Sequence, residues 1–166
     1  MAATEPEIAA FLSRFGSAGA ERRPLAGDAS ARRYERLHRA DGTAVLMIAP
    51  PGEEMRRFQR IDAWLLAQGY SAPQIFGIDT ETGLMLLEDF GDDQLARLLR
   101  QDPGAEAGYY AAITDFLLDL HRRPPPDFVP RLDATGLGAL VSLACDWYPL
   151  RDPAAAEAIA PLVSRL

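Results

Sequence analysis

The feature that most constrains the fold of this sequence is a short apolar run that ends abruptly in polar residues and a glycine. Residues 84–88 read Leu-Met-Leu-Leu-Glu, and Asp-Phe-Gly-Asp follows directly at 89–92. An apolar run of this length, bounded by turn signals, is typical of a buried strand that stops where the polar residues begin. Strand-like patterns precede this stretch and helical patterns follow it. We therefore interpret it as the last strand of a small sheet, with residues 89–92 as a hinge to a helical part.

Two stretches before the apolar run have the spacing of amphipathic helices. Thr4–Phe15 begins with Thr4 and Glu7, which fit a capping box, and Glu53–Gln68 follows the chain-breaking Pro-Pro-Gly at 50–52. The predicted inner stripe of the second helix consists of Met55, Phe58, Ile61 and Leu65. Both helices are expected to pack through their apolar faces.

Five segments of the first half have strand patterns. They cover residues 22–26, 31–38, 44–49, 73–79 and 84–88. Asp41-Gly42 is a hairpin turn signal between the second and third of them. Short hairpin connections favour antiparallel pairing, so we expect a five-stranded antiparallel sheet.

The residues after 92 predict helices only. A short helix is expected to begin at Asp92 or Asp93 and end at Leu99, and longer ones cover Ala105–His121, Asp133–Tyr148 and Ala154–Leu166. The helix over Ala105–His121 has a stripe that we predict to be buried, formed by Tyr109, Ile113, Phe116, Leu117 and Leu120. The predicted fold class is α+β, with a sheet-bearing lobe at 1–88, a hinge at 89–92 and a helical part at 93–166.

The charged residues exclude some classes of function. Arginine accounts for all 17 basic side chains, so the chain contains no lysine, and 24 acidic residues give a net charge of −7. Residues 1–60 hold ten arginines and eight acids, whereas 61–166 hold seven and sixteen. An acidic chain is a poor general binder of nucleic acid. No apolar run approaches the roughly 20 residues of a membrane-spanning helix, and the N-terminus lacks the pattern of a signal peptide. The single cysteine, Cys145, suits a reducing cytoplasm.

Three segments carry a resemblance to a known family. They are Gly-Asp-Ala-Ser-Ala-Arg-Arg-Tyr-Glu-Arg at 27–36, Val-Leu-Met-Ile-Ala-Pro-Pro at 45–51, and Leu-Leu-Glu-Asp-Phe-Gly-Asp at 86–92. In this order they resemble the aminoglycoside phosphotransferase and choline-kinase-like family, which is related to the protein kinases. They are most similar to the branch that phosphorylates N-acetylmuramate and N-acetylglucosamine at the anomeric hydroxyl, in bacterial cell-wall recycling. The resemblance covers nearly the whole chain but only the first half of a typical family member.

The resemblance implies a protein-kinase-like N-lobe followed by the first helices of an incomplete helical C-lobe. It also implies an ATP-dependent small-molecule phosphotransferase that acts with Mg²⁺. The turn with Gly27, Asp28 and Ser30 would lie against the nucleotide phosphates, and the main chain of Glu88 and Phe90 would bind adenine beside Leu87. The residues alone are also compatible with an ordinary hairpin turn and with a strand that ends at a helix cap.

This sequence departs from the family at Met47. Many relatives carry a lysine or arginine at that position, where it pairs with the nucleotide phosphates, and no lysine is available elsewhere. Among the arginines that follow the turn, Arg33 is our preferred substitute, and a solvated edge strand is the alternative. Met47 itself would then line the adenine pocket or belong to the core.

The family's catalytic H-G-D…N loop and its metal-binding aspartate do not follow Tyr148. The resemblance thus places the catalytic residues, the Mg²⁺ ligands and most contacts to a sugar or amino-alcohol acceptor outside this chain. We expect the nucleotide-binding part of a kinase that is inactive on its own. The alternative is a catalytically inactive half-kinase that binds a nucleotide or a protein. Self-association through the open helical part is a further expectation.

Overall fold

The computed structural model describes residues 3–26 and 31–147, with side chains described as far as residue 140. The chain forms two compact units, residues 1–115 and 116–166, which are considered separately. The predicted turn residues Gly27, Asp28 and Ser30, and the helix predicted over Ala154–Leu166, lie outside the described residues.

The first unit is built on a five-stranded antiparallel sheet. The strands are β1 (Glu21–Pro24), β2 (Arg33–Arg39), β3 (Gly42–Ile48), β4 (Ile75–Asp79) and β5 (Leu84–Glu88). They lie in the order β1-β2-β3-β5-β4, and every neighbouring pair is antiparallel. The predicted α+β class and the five-stranded antiparallel sheet are confirmed.

Two of the three inner strands, β3 and β5, contribute side chains to both hydrophobic layers of this unit. On one face, Leu46, Leu84 and Leu86 pack with helix α1 (Glu5–Arg14). On the other face, Met47 and Met85 pack with helix α2 (Glu53–Ala67). Each of these five side chains is at most 1% exposed, and burying such a side chain stabilises the fold by about 1.5–3 kcal/mol. β5 is therefore buried on both faces, as its continuous apolar run predicts.

Helix α1 follows its sequence pattern. The Glu7 carboxylate accepts hydrogen bonds from the Thr4 main-chain N–H and from the Thr4 hydroxyl, both at 2.7 Å. Ile8, Phe11 and Leu12 are buried against the sheet. The capped first turn thus fixes where the apolar face begins.

Helix α2 is turned differently from the prediction. Met55 is buried, but Ile61 is 38% exposed and Asp62 is only 6% exposed. Residues seven positions apart lie within about 20° of each other on a helix, so Asp62 shares the inward direction of Met55. The predicted inner position of Ile61 was wrong because the buried stripe is centred on Met55 and Asp62.

Helix α3 (Leu95–Gln101) starts later than predicted. Its N-cap is Gln94 rather than Asp92 or Asp93. The Asp92 carboxylate is instead bonded to Arg36 of β2, so it is not available to cap a helix.

Helices α4 (Glu106–Arg122) and α5 (Ala134–Trp147) agree with the predicted helical segments. The predicted burial of the α4 stripe was wrong, since none of its residues is buried among the described residues. Ile113 is 39% and Leu117 is 51% exposed. The stripe has the expected helical spacing, but most of its side chains are exposed. In the part of the chain that the structure describes, no helix is both long and apolar enough to cross a membrane.

Candidate functional site

A cavity of about 570 Å³ lies on the α2 face of the sheet, next to the end of β5. Tyr34, Val45 and Leu87 contribute from three neighbouring strands, and Phe58 contributes from α2. Residues 88–92 line its edge, and so do Leu25 and Ala26, which precede residues 27–30. A concave, mostly apolar site with a few polar groups at its edge is the usual form of a small-molecule site.

One main-chain N–H of the segment that follows β5 has no acceptor within the described residues. The Phe90 N–H donates no hydrogen bond within the described residues, and the Phe90 side chain is 59% exposed. The Glu88 N–H donates to the Gln74 carbonyl at 2.9 Å, whereas the Gln74 N–H donates to the Glu88 carboxylate at 3.0 Å. The Glu88 side chain thus replaces its main-chain carbonyl in this pairing. Leu87, Glu88 and Phe90, predicted as site residues, all line the cavity.

Arg36 holds both ends of the segment 89–92. Its guanidinium donates to Asp89 from Nε (2.7 Å to Oδ2) and Nη2 (3.1 Å to Oδ1). It also donates to Asp92 from Nη1 (3.1 Å) and Nη2 (2.9 Å). The Asp89 carboxylate accepts the Gly91 N–H at 2.9 Å as well. We call Arg36, Asp89 and Asp92 the hinge clamp.

The hinge clamp lowers the pKa of both carboxyl groups. For Asp89, whose side chain is 4% exposed, burial opposes ionisation, but hydrogen bonds from Arg36 and from the Gly91 N–H outweigh burial and lower the pKa. For Asp92, the hydrogen bonds from Arg36 lower the pKa first, and the charge of Arg36 adds to them. Both carboxylates are therefore ionised at neutral pH and neutralise much of the arginine charge.

The arginines after the predicted phosphate turn lie on opposite faces of the sheet. Arg32, just before β2, donates to Glu54 of α2 from Nε (2.9 Å) and Nη2 (2.7 Å). Arg33 is exposed and pairs with Glu35 at 3.6 Å, on the α1 face. Strand alternation predicts this division, but the structure does not bring Arg33, the preferred substitute, to the cavity. Glu54, in the first turn of α2, is the partner of Arg32.

Three basic residues line the cavity, and none of them is the arginine that sequence reasoning preferred. Arg36 lies on the same strand face as Tyr34, so strand alternation gave a signal for it. Arg97 and Arg100 of α3 also line the cavity, and their spacing of three positions puts them on one helix face. Three acids, Glu88, Asp89 and Asp92, line the same cavity, so basic and acidic residues are equal in number there.

Comparison with known proteins decides the family. The sequence profile described as the phosphotransferase enzyme family matches residues 21–164. The chain belongs to the phosphotransferase enzyme family. The predicted resemblance is thereby confirmed at the level of the family.

Three relatives of this phosphotransferase chain carry the name N-acetylmuramate/N-acetylglucosamine kinase. The protein of Caulobacter vibrioides is 39% identical over 150 residues, an alignment that covers 74% of this chain and 41% of the relative. The proteins of Pseudomonas aeruginosa and Pseudomonas putida are 32% and 35% identical, over 80% and 75% of this chain and 39% and 37% of their own lengths. The chain therefore spans about two fifths of the length of the curated relatives it matches.

Met47 of this phosphotransferase chain belongs to the core. It is 1% exposed, packs in one cluster with Met55 and Met85, and does not line the cavity, which Val45 lines instead. An ion pair between the sheet side and α2 exists nevertheless, because Arg32 bonds Glu54.

The described residues do not fit a magnesium ion. They contain no group of three or more histidine, cysteine, aspartate or glutamate side chains that could hold a metal. Asp89 and Asp92, the acids nearest the cavity, already bind the Arg36 guanidinium. We therefore derive no step that runs through a metal on these residues.

Proposed function

We propose that this chain is the nucleotide-binding part of an ATP-dependent small-molecule phosphotransferase. The observation that carries the proposal is the cavity at the end of β5, where the Phe90 N–H has no partner among the described residues. In this proposal the Phe90 N–H donates to a ring nitrogen of adenine and the Glu88 carbonyl accepts from its amino group. Leu87 and Val45 contact the flat face of the base.

The proposal assigns Arg32 rather than Arg33 to the phosphates. Arg32 follows the turn that contains Gly27, Asp28 and Ser30, and Glu54 fixes its guanidinium. Arg32 lies on the α2 side of the sheet, where it lines the smaller cavity next to the nucleotide cavity, whereas Arg33 lies on the α1 side and pairs with Glu35. Phosphoryl transfer depends on positioning and on neutralisation of charge, and a guanidinium held by a carboxylate provides both.

The proposed organisation is a nucleotide lobe at residues 1–88, a hinge at 89–92 and the beginning of a helical lobe at 93–166. The names of the relatives support an amino sugar, N-acetylmuramate or N-acetylglucosamine, as the acceptor of the complete kinase. A role in cell-wall recycling in the cytoplasm is part of the proposal, as the family resemblance implies. The residues that bind Mg²⁺ and activate the acceptor hydroxyl are proposed to lie outside this chain, which is then inactive alone.

A second candidate function is nucleotide or protein binding without catalysis. The hinge clamp favours it, because the acids beside the cavity serve structure rather than a metal or an acceptor hydroxyl. The exposed stripe of α4 would be the surface for self-association or for a protein partner. Sedimentation over a range of concentrations tests self-association, and phosphorylation of N-acetylglucosamine by this chain would exclude the second candidate.

The deciding experiment measures binding of adenosine and of ATP by calorimetry. We expect adenosine to bind the unaltered chain, and a Val45→Phe variant to lose it because the larger ring occupies the place of the base. Arg32→Ala should weaken ATP about tenfold, or about 1.4 kcal/mol, and leave adenosine unchanged.

Arg33→Ala is the matched control, since it removes the neighbouring arginine on the other face. It should change neither affinity. Absence of adenosine binding to a folded chain would contradict the nucleotide assignment. Equal losses of ATP affinity in both arginine variants would contradict only the role of Arg32.

A further inference from the structure

A second, smaller cavity of about 300 Å³ lies between α2 and the segment before β4. Its apolar walls are formed by Phe58, Ile61, Leu65, Ala72 and Pro73. It shares Phe58 and Pro73 with the larger cavity but none of the residues that follow β5. Arg32, to which the proposed function assigns the nucleotide phosphates, lies at its edge, but that function does not use its apolar walls.

A carboxyl group is buried in the wall of this cavity. Asp62 is 6% exposed, and its Oδ1 has no hydrogen-bond partner within the described residues. Burial raises the pKa of Asp62, and no other cause contributes to the shift. A buried carboxyl oxygen without a hydrogen-bond partner costs stability, so packing alone does not explain this position.

The neighbouring arginines do not neutralise Asp62. Arg32 is committed to Glu54 through its Nε and Nη2 atoms. Arg57 also lines the cavity, but it is exposed, and no ion pair joins it to Asp62 in the described part of the chain. The carboxyl group therefore offers an unused acceptor at the side of an apolar cavity.

We propose that this cavity binds a compact organic cation, with a protonated amine or guanidinium against Asp62 and an apolar body between Phe58, Leu65 and Pro73. A volume of about 300 Å³ is at the lower end of the range for small-molecule sites, so the ligand is the size of a substituted single ring. A charge-assisted hydrogen bond to the carboxylate is shorter and stronger than a neutral one, which gives preference for a cation.

Two sources provide this chemistry: a free amine, and the arginine side chain of a protein. Benzylammonium represents the first, and a capped arginine amide represents the second. Benzyl alcohol has the same shape as benzylammonium without the charge. We expect at least one of the two cations to bind saturably, as measured by changes in NMR chemical shifts. The cation that binds more tightly identifies the source. Benzyl alcohol should bind at least about tenfold more weakly than benzylammonium.

The Asp62→Asn variant tests the carboxylate directly, and Asp115→Asn is its control, because it makes the same change on an exposed helical position. Asp62→Asn should weaken cation binding at least about tenfold, while Asp115→Asn leaves it unchanged. The unfolding temperature of the ligand-free Asp62→Asn variant should be equal to or higher than that of the unaltered chain. A carboxylate kept for binding at the expense of stability has this signature.

Three results would overturn the proposal. The first is that neither cation saturates in the millimolar range. The second is that benzyl alcohol binds as well as benzylammonium. The third is a lower unfolding temperature of Asp62→Asn, which would mean that the carboxyl group has a structural partner. Each of these results is measured without nucleotide, so a failure here is distinguished from a failure of the adenosine and ATP experiment.

Discussion

Arg36 of β2 and Asp89, the first residue after β5, form a two-point ion pair with N–O distances of 2.7 and 3.1 Å. The two side chains are only 17% and 4% exposed. Since β3 lies between β2 and β5, this ion pair reaches across β3 and fixes the main chain that follows β5. The position of the Phe90 N–H at the cavity therefore depends on a side chain from a strand that is not its neighbour.

The first prediction concerns this pair. Arg36→Met should destabilise the chain by about 2–3 kcal/mol, because it leaves the largely buried Asp89 carboxylate without its cation. The double variant Arg36→Met/Asp89→Asn should lose less unfolding free energy than the sum of the losses in the two single variants. Urea unfolding of the unaltered chain, the two single variants and the double variant gives the coupling free energy between the two side chains. A coupling below about 0.5 kcal/mol would show that the pair contributes no more than a surface ion pair.

The second prediction is the pH dependence of stability. The folded-state pKa values of Asp89 and Asp92 lie below the ordinary value of 3.8. As the pH falls, these two groups therefore bind more protons in the unfolded chain than in the folded chain. The stabilisation from the hinge clamp is fully present above the ordinary pKa and is lost as the pH falls through the folded-state values. Urea unfolding at a series of pH values should show that the free energy of unfolding declines steeply below about pH 4. Asp89→Asn should make this decline less steep. An identical slope in Asp89→Asn would rule out this source of acid sensitivity.

The sequence predicted the sheet better than the polar contacts. The apolar run at 84–88 forms β5, and Leu87, Glu88 and Phe90 line one cavity. Local pattern is sufficient for these because β5 is buried on both faces. The hinge clamp depends on a register between distant strands, which no local pattern encodes. For the same reason, helical spacing alone did not distinguish Asp62 from Ile61 as the inward residue.

The third prediction compares two glycines with the same φ of +76°, Gly83 and Gly91. A Cβ at Gly83 would overlap the carbonyl oxygen of Ala49, whereas a Cβ at Gly91 has no neighbour within 4 Å. Gly91→Ala should cost about 1 kcal/mol for the left-handed backbone alone. Gly83→Ala should cost at least about 2 kcal/mol more, because the turn before β5 has to move. Thermal unfolding measures the difference. Equal costs would show that the Ala49 carbonyl shifts freely.

The fourth prediction tests why this family member has methionine at position 47. Met47 and Met55 are each 1% exposed and share one apolar cluster, so Met47→Lys would bury an ammonium group without a partner. We expect it to destabilise the chain by about 3 kcal/mol or more, whereas Met47→Leu, a change of similar volume, should cost less than about 1.5 kcal/mol.

Adding Met55→Glu to Met47→Lys should recover part of that loss, because the new carboxylate on α2 lies in the same cluster as the ammonium group. Urea unfolding of both single variants and the double variant measures the recovery. If the double variant loses as much unfolding free energy as the two single variants together, the β3–α2 interface cannot hold the introduced ion pair. Since Arg32 and Glu54 already connect β2 to α2, the recovered protein should bind ATP no more tightly than the unaltered chain. A gain in ATP affinity would instead assign the phosphate contact to position 47.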